Sequence, residues 1–197
     1  MMKAIMISIK PKWVAKILNG EKTIEIRKTM PKCDLPIDVY IYCTKDKNKL
    51  VIGDSPFREE KEYSVCKNNI ALNGTELPVL NGHVVAKFTL NKVERFDFIS
   101  ERKYLNDIEK YNVEIRKHNI IYKKSCMSAV DVVCYLDTKC LGTDNPDGMI
   151  GYAWHIDNLV IFDRPKELGE FCNCDKYPYT RYISRPFQSW GYIEVLL

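Results

Sequence analysis

One stretch near the start of the chain, from Ile9 to Arg27, constrains the fold more than any other. Pro11 fits the first turn of a helix, where its missing N–H would have no partner anyway. The apolar residues after it recur at helical spacing: Val14, Ile17 and Leu18. Asn19-Gly20 then predicts the end of the helix, because glycine adopts the left-handed conformation without a steric penalty.

After this glycine the apolar spacing changes from helical to alternating, which predicts a strand. Ile24 and Ile26 point to one side of that strand. The opposite side carries three polar residues: Thr23, Glu25 and Arg27. Lys22 lies at the start of the strand. The carboxylate of Glu25 therefore lies between a hydroxyl and a guanidinium. This face of the strand is expected either to be exposed to solvent or to form a functional site.

Length and composition favour one sizeable domain. The chain has 197 residues, of which 46% are hydrophobic, so a packed core is expected. Two weakly patterned stretches, about 45–80 and 94–150, are interpreted as insertions into a single domain that spans 1–197. The net charge of +4 is mildly basic, which is compatible with a polyanionic partner and equally with an ordinary solvated surface.

The cysteines and the N-terminus predict a cytoplasmic protein. The eight cysteines include no C-x-x-C pair, and the N-terminal segment is charged too soon for a signal peptide. The sequence contains no run of eighteen or more apolar residues, so no membrane span is expected. Cys172 and Cys174 form the one close pair, and thiolate zinc sites usually need a second pair. We therefore expect no metal, no cofactor and no membrane association.

Alternating or helical patterns predict the remaining elements. Strands are expected over 4–9, 38–44, 83–93, 151–156 and 159–162, with Arg164-Pro165-Lys166 breaking the last of these. A final strand is expected to begin near Arg185 and to close with 193–197. Helices are predicted over 100–117 and 129–139. Ser128 and Asp131 can close a capping box at the start of the second one.

The segment Gly20-Glu21-Lys22-Thr23-Ile24-Glu25-Ile26-Arg27 resembles the G-x-K-x-x-E-x-R signature of the ASCH family, a branch of the PUA-like β-barrels. Two later segments resemble parts of longer, phage or bacterial ASCH proteins: the run GYAWHI at 151–156, and the ending R-P-P-Q-S-W, in which Phe187 replaces the second proline here. The resemblance implies an α+β fold, a PUA-like mixed β-barrel with a helix packed beside the signature strand. It also implies a cleft suited to RNA or a nucleotide-like ligand.

Lys22, Glu25 and Arg27 are the first candidates for a site. A lysine and an arginine beside one carboxylate can bind a phosphate or a polar base edge. The same three residues can also form an ion-pair network that only fixes the strand. The resemblance favours a site, with Lys22, Glu25 and His155 as catalytic candidates if the protein is an enzyme.

Further ligand-binding candidates are spread along the chain, and each has a purely structural alternative. They are Lys10, Thr23, Tyr42, Trp154, Gln188, Ser189 and Trp190. Only one of Trp154 and His155 can face a given cleft, because adjacent strand residues point to opposite sides. Trp190 can stack on a base or can instead close the core. The histidine can move protons near neutral pH or can be a hydrogen-bonded core residue.

Three functions stay open at this point. The first is binding of RNA or of a nucleotide-like small molecule. The second is a metal-independent enzyme on RNA or a modified nucleoside, either a ribonuclease or an acetylcytidine-type amidohydrolase. In the amidohydrolases a threonine stands three residues after the signature lysine, where this chain has Glu25. The third is a protein-interaction domain with an unknown protein partner.

Overall fold

A computed structural model describes residues 2–52, 62–65, 79–97, 108–136, 149–173 and 182–195, with side chains described for all but a few of them. Parts of the predicted helices, 100–107 and 137–139, lie outside these residues, as do 196–197 of the last predicted strand and Cys174. Within them the strands are β1 Met2–Ile9, β2 Ile24–Arg27, β3 Ile37–Cys43, β4 Lys49–Ile52, β5 Glu62–Val65, β6 Val84–Leu90, β7 Val93–Asp97, β8 Ile150–His155, β9 Asp157–Lys166, β10 Phe171–Asn173 and β11 Trp190–Val195. The helices are α1 Pro11–Leu18, α2 Ile108–Ser125 and α3 Ala129–Leu136.

The chain divides into two compact units, each built from separate stretches of sequence. The first unit consists of Met1–Gly20, Pro36–Thr89 and Asp157–Leu197. The second unit consists of Glu21–Leu35 and Leu90–Ile156. The predicted single domain with two insertions stays a prediction.

The first unit is organised on a six-stranded sheet in the order β10-β11-β1-β3-β6-β9. β1 pairs antiparallel with β11 and parallel with β3, so Ile5 lies opposite Tyr192 on one side and Val39 on the other. A strand with neighbours on both edges and packing on both faces is buried throughout. All residues from Ala4 to Ile9 are accordingly buried, including the polar Ser8.

Helix α1 begins and ends where the sequence predicts. Pro11 lies in its first turn, and Gly20 beyond its end has a positive φ of 75°. The N–H of Gly20 donates to the carbonyl of Ile17 at 2.9 Å, which satisfies one of the terminal carbonyls. The helix buries one face against the strands of the first unit: Val14, Ala15, Ile17 and Leu18.

The second unit packs two helices on a three-stranded antiparallel sheet in the order β2-β8-β7. In the registers of this sheet, Ile24 lies opposite His155, and Trp154 lies between Glu25 and Val93. The core between sheet and helices consists of Ile24, Ile26, Phe96, Ile121, Val132 and Ala153. Gly151 leaves room for the Phe96 ring, since a Cβ there would lie 2.4 Å from a ring carbon.

Several element boundaries differ from the predictions. The strand predicted over 83–93 ends at Leu90, and β7 starts after Asn91 and Lys92. The break predicted at Arg164–Lys166 was wrong, because β9 continues to Lys166. β9 is the last strand in the order of its sheet, and an edge strand tolerates the missing N–H of Pro165. α2 begins at Ile108 and ends at Ser125, beyond the predicted end at 117.

The capping box predicted before α3 is present. The hydroxyl of Ser128 lies 2.7 Å from a carboxylate oxygen of Asp131, and the N–H of Asp131 donates to this hydroxyl at 3.1 Å. The carboxylate also accepts from the N–H of Ser128 at 3.0 Å. The helix ends at Leu136 as far as it is described.

The described strands form three open sheets of six, three and two members, and no closed barrel is formed by them. The α+β prediction is therefore confirmed in its coarse form. None of the helices described here is both long enough and apolar enough to cross a membrane.

Candidate functional site

The charged residues of the signature form one buried cluster in the second unit. Lys22 Nζ lies 3.1 Å from Glu25 Oε2, and Arg27 Nη2 lies 3.0 Å from Glu25 Oε1. The three residues are 1%, 8% and 6% exposed, respectively. Glu25 therefore bridges two cations.

Lys22 reaches this cluster because the regular strand starts only at Ile24, so strict alternation does not govern where its side chain points. Its ammonium also donates to the backbone carbonyl of Ser125 at 2.8 Å. Ser125 is the last residue of α2, where unpaired carbonyls and the helix dipole favour a cation. The signature lysine thus connects β2 to the end of α2.

Tyr135 of α3 is the aromatic neighbour of the cluster. Its hydroxyl forms a side-chain hydrogen bond with Arg27. Burial raises the pKa of Tyr135, the positive charge of Arg27 opposes that rise, and Glu25 adds to it. The exposed ammonium of Lys28 lies 5.5 Å from the centre of the same ring. Cation–π and hydrogen-bonding contacts therefore extend the cluster toward α3.

Thr23 is the exposed residue of the signature between the buried Lys22 and the buried strand. Its N–H donates to the carbonyl of Lys124 at 2.9 Å, and its carbonyl accepts from the N–H of Ile156 at 3.0 Å. Thr23 is thereby held between the end of α2 and the end of β8. The side chains of Lys123 and Lys124 are exposed beside it.

His155 belongs to the same end of the sheet. Its Nε2 lies 3.4 Å from a carboxylate oxygen of Glu94, and both side chains are about one-fifth exposed, at 22% and 23%. Lys92 is ion-paired with Glu94 as well. The hydrogen bond from Lys92 lowers the pKa of Glu94, as do the charges of Lys92, His155 and Lys117, although burial opposes them. The imidazole of His155 and the ammonium of Lys92 therefore both lie against the carboxylate of Glu94, and Lys117 acts on it through its charge.

Trp154 is fully buried, and its Nε1 donates to the carbonyl of Thr29 at 3.3 Å. It shares the sheet face of Glu25, its cross-strand partner, whereas His155 points to the other face. Ligand contact by Trp154 stays a prediction. Its complete burial favours a packing role behind the signature strand.

The remaining candidates lie in the first unit, in two places. Lys10 is exposed at the start of α1, where its carbonyl accepts from the N–H of Trp13. Ser189 accepts through its carbonyl from the N–H of Ser8 at 2.9 Å, with Gln188 exposed beside it. Trp190 is half-buried and stands edge-on to Tyr192, with ring centres 5.7 Å apart. These contacts tie the C-terminal segment to β1.

Tyr42, at the end of β3, lines a cleft of about 690 Å³ in the first unit. Other residues that line it are Lys45, Glu167, Tyr182, Ile183 and Ser184. Burial raises the pKa of Tyr42, and the nearby Cys43 and Glu167 raise it further, so this phenol keeps its proton. Sequence reasoning missed every member of this cleft except Tyr42.

The structure therefore brings together three of the predicted residues in one ion-paired cluster: Lys22, Glu25 and Arg27. Thr23 and His155 lie next to this cluster along the backbone, but the side chain of His155 points to the opposite face of the sheet. Sequence reasoning missed their partners Ser125, Lys124 and Glu94. No sequence signal identifies the carbonyl of Ser125, because any residue at the end of a helix presents the same group. Among the described residues, no three of His, Cys, Asp and Glu are grouped to hold a metal ion.

Comparisons with known proteins identify the fold. The chain is similar to the ASCH protein of Zymomonas mobilis, with 14% identity, a TM-score of 0.51 and coverage of 97% of this chain and 87% of that chain. A serine-to-alanine variant of that protein gives a TM-score of 0.52 at 14% identity, covering 97% of this chain and 88% of that one. The predicted resemblance is confirmed as an ASCH-like fold.

The similarity is one of structure rather than sequence. No protein-family model matches the chain, and no curated protein does. At 14% identity the solved structures establish how the chain folds, and the chemistry has to be argued from its own side chains.

Proposed function

We propose that the chain is a cytoplasmic RNA- or nucleotide-binding protein of the PUA-like class that uses the surface around the signature. One observation carries this proposal: the exposed Thr23 and the basic end of α2 lie directly against the buried cluster of Lys22, Glu25 and Arg27. Five described cysteines are free thiols, as the cytoplasm would keep them.

The exposure of each residue determines which part it can take in binding. Lys123 and Lys124 are exposed and can reach phosphate oxygens, and the hydroxyl of Thr23 can donate to the same groups. Lys22, Glu25 and Arg27 are too buried in this structure to cover a polyanion, so they act as positioning residues.

A salt titration tests this proposal. Affinity for a labelled single-stranded RNA is measured between 50 and 200 mM salt for the wild type and for Lys123→Met/Lys124→Met. Removing one lysine–phosphate ion pair from a single-stranded complex reduces the salt slope by about 0.7, so the variant should bind more weakly and with a shallower slope. Thr23→Val should weaken binding without changing the thermal midpoint.

The matched control is Lys47→Met/Lys49→Met, which removes two exposed lysines from the first unit. It should retain the wild-type affinity. If both double variants lose affinity equally, binding depends on net charge alone and the surface is misassigned. If the wild type retains no RNA or nucleotide, the interaction-domain alternative replaces this proposal.

The pair of His155 and Glu94 favours a second candidate, acid–base cleavage of RNA. A histidine beside a carboxylate can move a proton, and Lys92 and Lys117 can offset the charge of a pentavalent phosphorus. This second candidate would be supported if the wild type cleaves RNA, His155→Ala does not, and Trp154→Phe still does. The contacts of Lys22 favour positioning over the nucleophilic role that an amidohydrolase requires.

A further inference from the structure

A histidine beside the cleft of the first unit has an oxygen atom opposite each of its two ring nitrogens. His83 Nδ1 lies 3.1 Å from the backbone carbonyl oxygen of Asn81, and His83 Nε2 lies 3.1 Å from Glu167 Oε1. A neutral imidazole has one N–H and one lone pair, whereas the imidazolium has two N–H groups. Both contacts can therefore be hydrogen bonds only while the ring is protonated.

The two oxygen atoms belong to separate segments, and both segments line the cleft. Gly82 lines it from the turn 80–83, and Glu167, Leu168 and Gly169 line it from the corner 166–170 between β9 and β10. The ring of His83 is thus a direct contact between the turn and the corner.

We propose that His83 and Glu167 form a proton-operated latch between the turn and the corner. The protonated ring joins the two segments, and the loss of one proton releases the corner, which changes the width of the cleft. No residue of the signature surface takes part in this latch. The proposal is therefore independent of RNA binding in the second unit.

The turn is the fixed partner of the histidine. The N–H of Gly82 donates to the carbonyl of Cys43 at 2.8 Å, and the N–H of Cys43 donates to the carbonyl of His83 at 2.9 Å. The side chain of Asn81 accepts from the N–H of Leu50 at 2.7 Å. These bonds hold the carbonyl of Asn81 in place, so a neutral ring should keep its one proton on Nδ1.

Glu167 is the movable partner. Its side chain is 72% exposed, against 33% for His83. Its carboxylate also accepts from the N–H of Glu170, and the carboxylate of Glu170 accepts from the N–H of Glu167 at 2.8 Å. The corner is therefore held together by its own capping box. A lone pair on Nε2 would face the carboxylate of Glu167 and repel it, so the capped corner should move away as one piece.

Other ionisable groups lie close to the latch. Burial raises the pKa of Tyr42, and Glu167 is a further cause, so this phenol stays neutral. A hydrogen bond from the backbone of Glu167 lowers the pKa of Glu170, and the paired Lys166 lowers it further. The stem of Lys45 packs on the turn at Gly82. Of these side-chain types, only imidazole ordinarily changes its charge between pH 5 and 8. A response of the corner in this range should therefore come from the histidine.

Nitrogen NMR of the imidazole rings tests which proton is lost, with the full chain labelled on histidine and the signals of His83 identified by their absence in His83→Leu. As the pH rises from 5 to 8, Nε2 should lose its proton and Nδ1 should keep it. The proposal is overturned if Nδ1 loses the proton instead, because the bond to Glu167 would then persist. It is equally overturned if both nitrogens stay protonated up to pH 8.

Hydrogen exchange read by mass spectrometry tests the release of the corner. After correction for the base catalysis of exchange itself, the protection of amides in 166–171 should fall about two- to fivefold between pH 5 and 8, the range of an exposed ion pair. Glu167→Gln should keep the corner joined throughout, because a carboxamide can accept from the protonated ring or donate to the neutral one. His83→Leu should leave the corner released throughout.

Lys166→Met is the matched control for these variants. It removes a charge from the corner, where Lys166 is ion-paired with Glu170 at 3.2 Å, and leaves both residues of the latch in place. It should show the same change in protection with pH as the wild type. If protection falls equally in the wild type, Glu167→Gln and His83→Leu, the latch does not hold the corner and the proposal is overturned.

Discussion

The ammonium of Lys22 donates a 2.8 Å hydrogen bond to the carbonyl of Ser125, 103 residues further along the chain. Because the same ammonium is ion-paired with Glu25, one side chain joins the signature strand to the C-terminal end of α2. The lysine is 1% exposed, so these contacts replace all of its hydration. The signature therefore stabilises the second unit, whatever else it does.

Lys22→Met should destabilise the protein strongly. The substitution keeps the apolar stem, but it leaves Glu25 with Arg27 alone and removes the donor at Ser125. We expect a loss of about 3 kcal/mol in the free energy of unfolding, near the lower end of the cost of breaking a buried ion pair. Urea denaturation measures this loss. Lys28→Met, which removes an exposed lysine six residues later, should change the value by less than about 0.5 kcal/mol. Equal stabilities of the two variants would show that the cluster does not hold α2.

Gly151→Ala should be destabilising because of the aromatic ring opposite it. The added methyl group would lie 2.4 to 2.9 Å from three ring carbons of Phe96, which is itself buried. Overpacking of this kind costs about 1–3 kcal/mol. Gly169→Ala is the control, since a Cβ there meets nothing within 4 Å. Thermal unfolding should separate the two variants, and Phe96→Leu should relieve part of the cost of Gly151→Ala in the double variant.

Ser128→Ala should weaken the start of α3. The hydroxyl accepts from the N–H of Asp131, and the carboxylate of Asp131 bonds back to Ser128. Loss of such a cap typically costs about 1 kcal/mol, so the urea midpoint should fall. Ser128→Thr retains the hydroxyl and should keep nearly the wild-type value. A Ser128→Ala variant as stable as the wild type would show that the cap contributes nothing.

Cys43 should resist alkylation in the native protein. Burial raises the pKa of its thiol from 9.0 to about 12, and the charge of Asp46 adds to this. At pH 8, iodoacetamide should modify the exposed Cys134 and leave Cys43 unmodified, as read by mass spectrometry of peptides. Modification of both at equal rates would contradict the burial of Cys43.

The same shift makes stability depend on alkaline pH. Above pH 9 the unfolded chain loses the Cys43 proton, whereas the folded protein keeps it until about pH 12. The contribution of this group is therefore complete below pH 9 and is lost as the pH rises toward 12. Between pH 9 and about pH 12, the urea midpoint of Cys43→Ala should therefore fall less steeply with pH than that of the wild type.

Local features of the fold could be predicted from the sequence, because each has a local cause. Pro11 and Gly20 mark the two ends of α1, and Ser128 with Asp131 marks the start of α3. The G-x-K-x-x-E-x-R spacing also predicts which charges lie near one another. In each case the residues that determine the structure are fewer than ten positions apart.

Long-range features could not be predicted in this way. The bond from Lys22 to the carbonyl of Ser125 joins residues 103 positions apart, and no sequence pattern relates the two. Pro165 predicted a break, yet β9 lies at the edge of its sheet, where the missing N–H has no partner to lose. The cleft lined by Tyr42 and Tyr182 is assembled from distant segments, none of which carries a motif.

The pairing of β1 has a consequence for biosynthesis. Met2 pairs with Val195, so β1 is synthesised well before β11, the strand with which it pairs. Until β11 arrives, one edge of β1 presents unpaired backbone groups and is open to another chain. A nascent or C-terminally shortened chain should consequently depend on chaperones, and tags that delay the final strand should favour inclusion bodies.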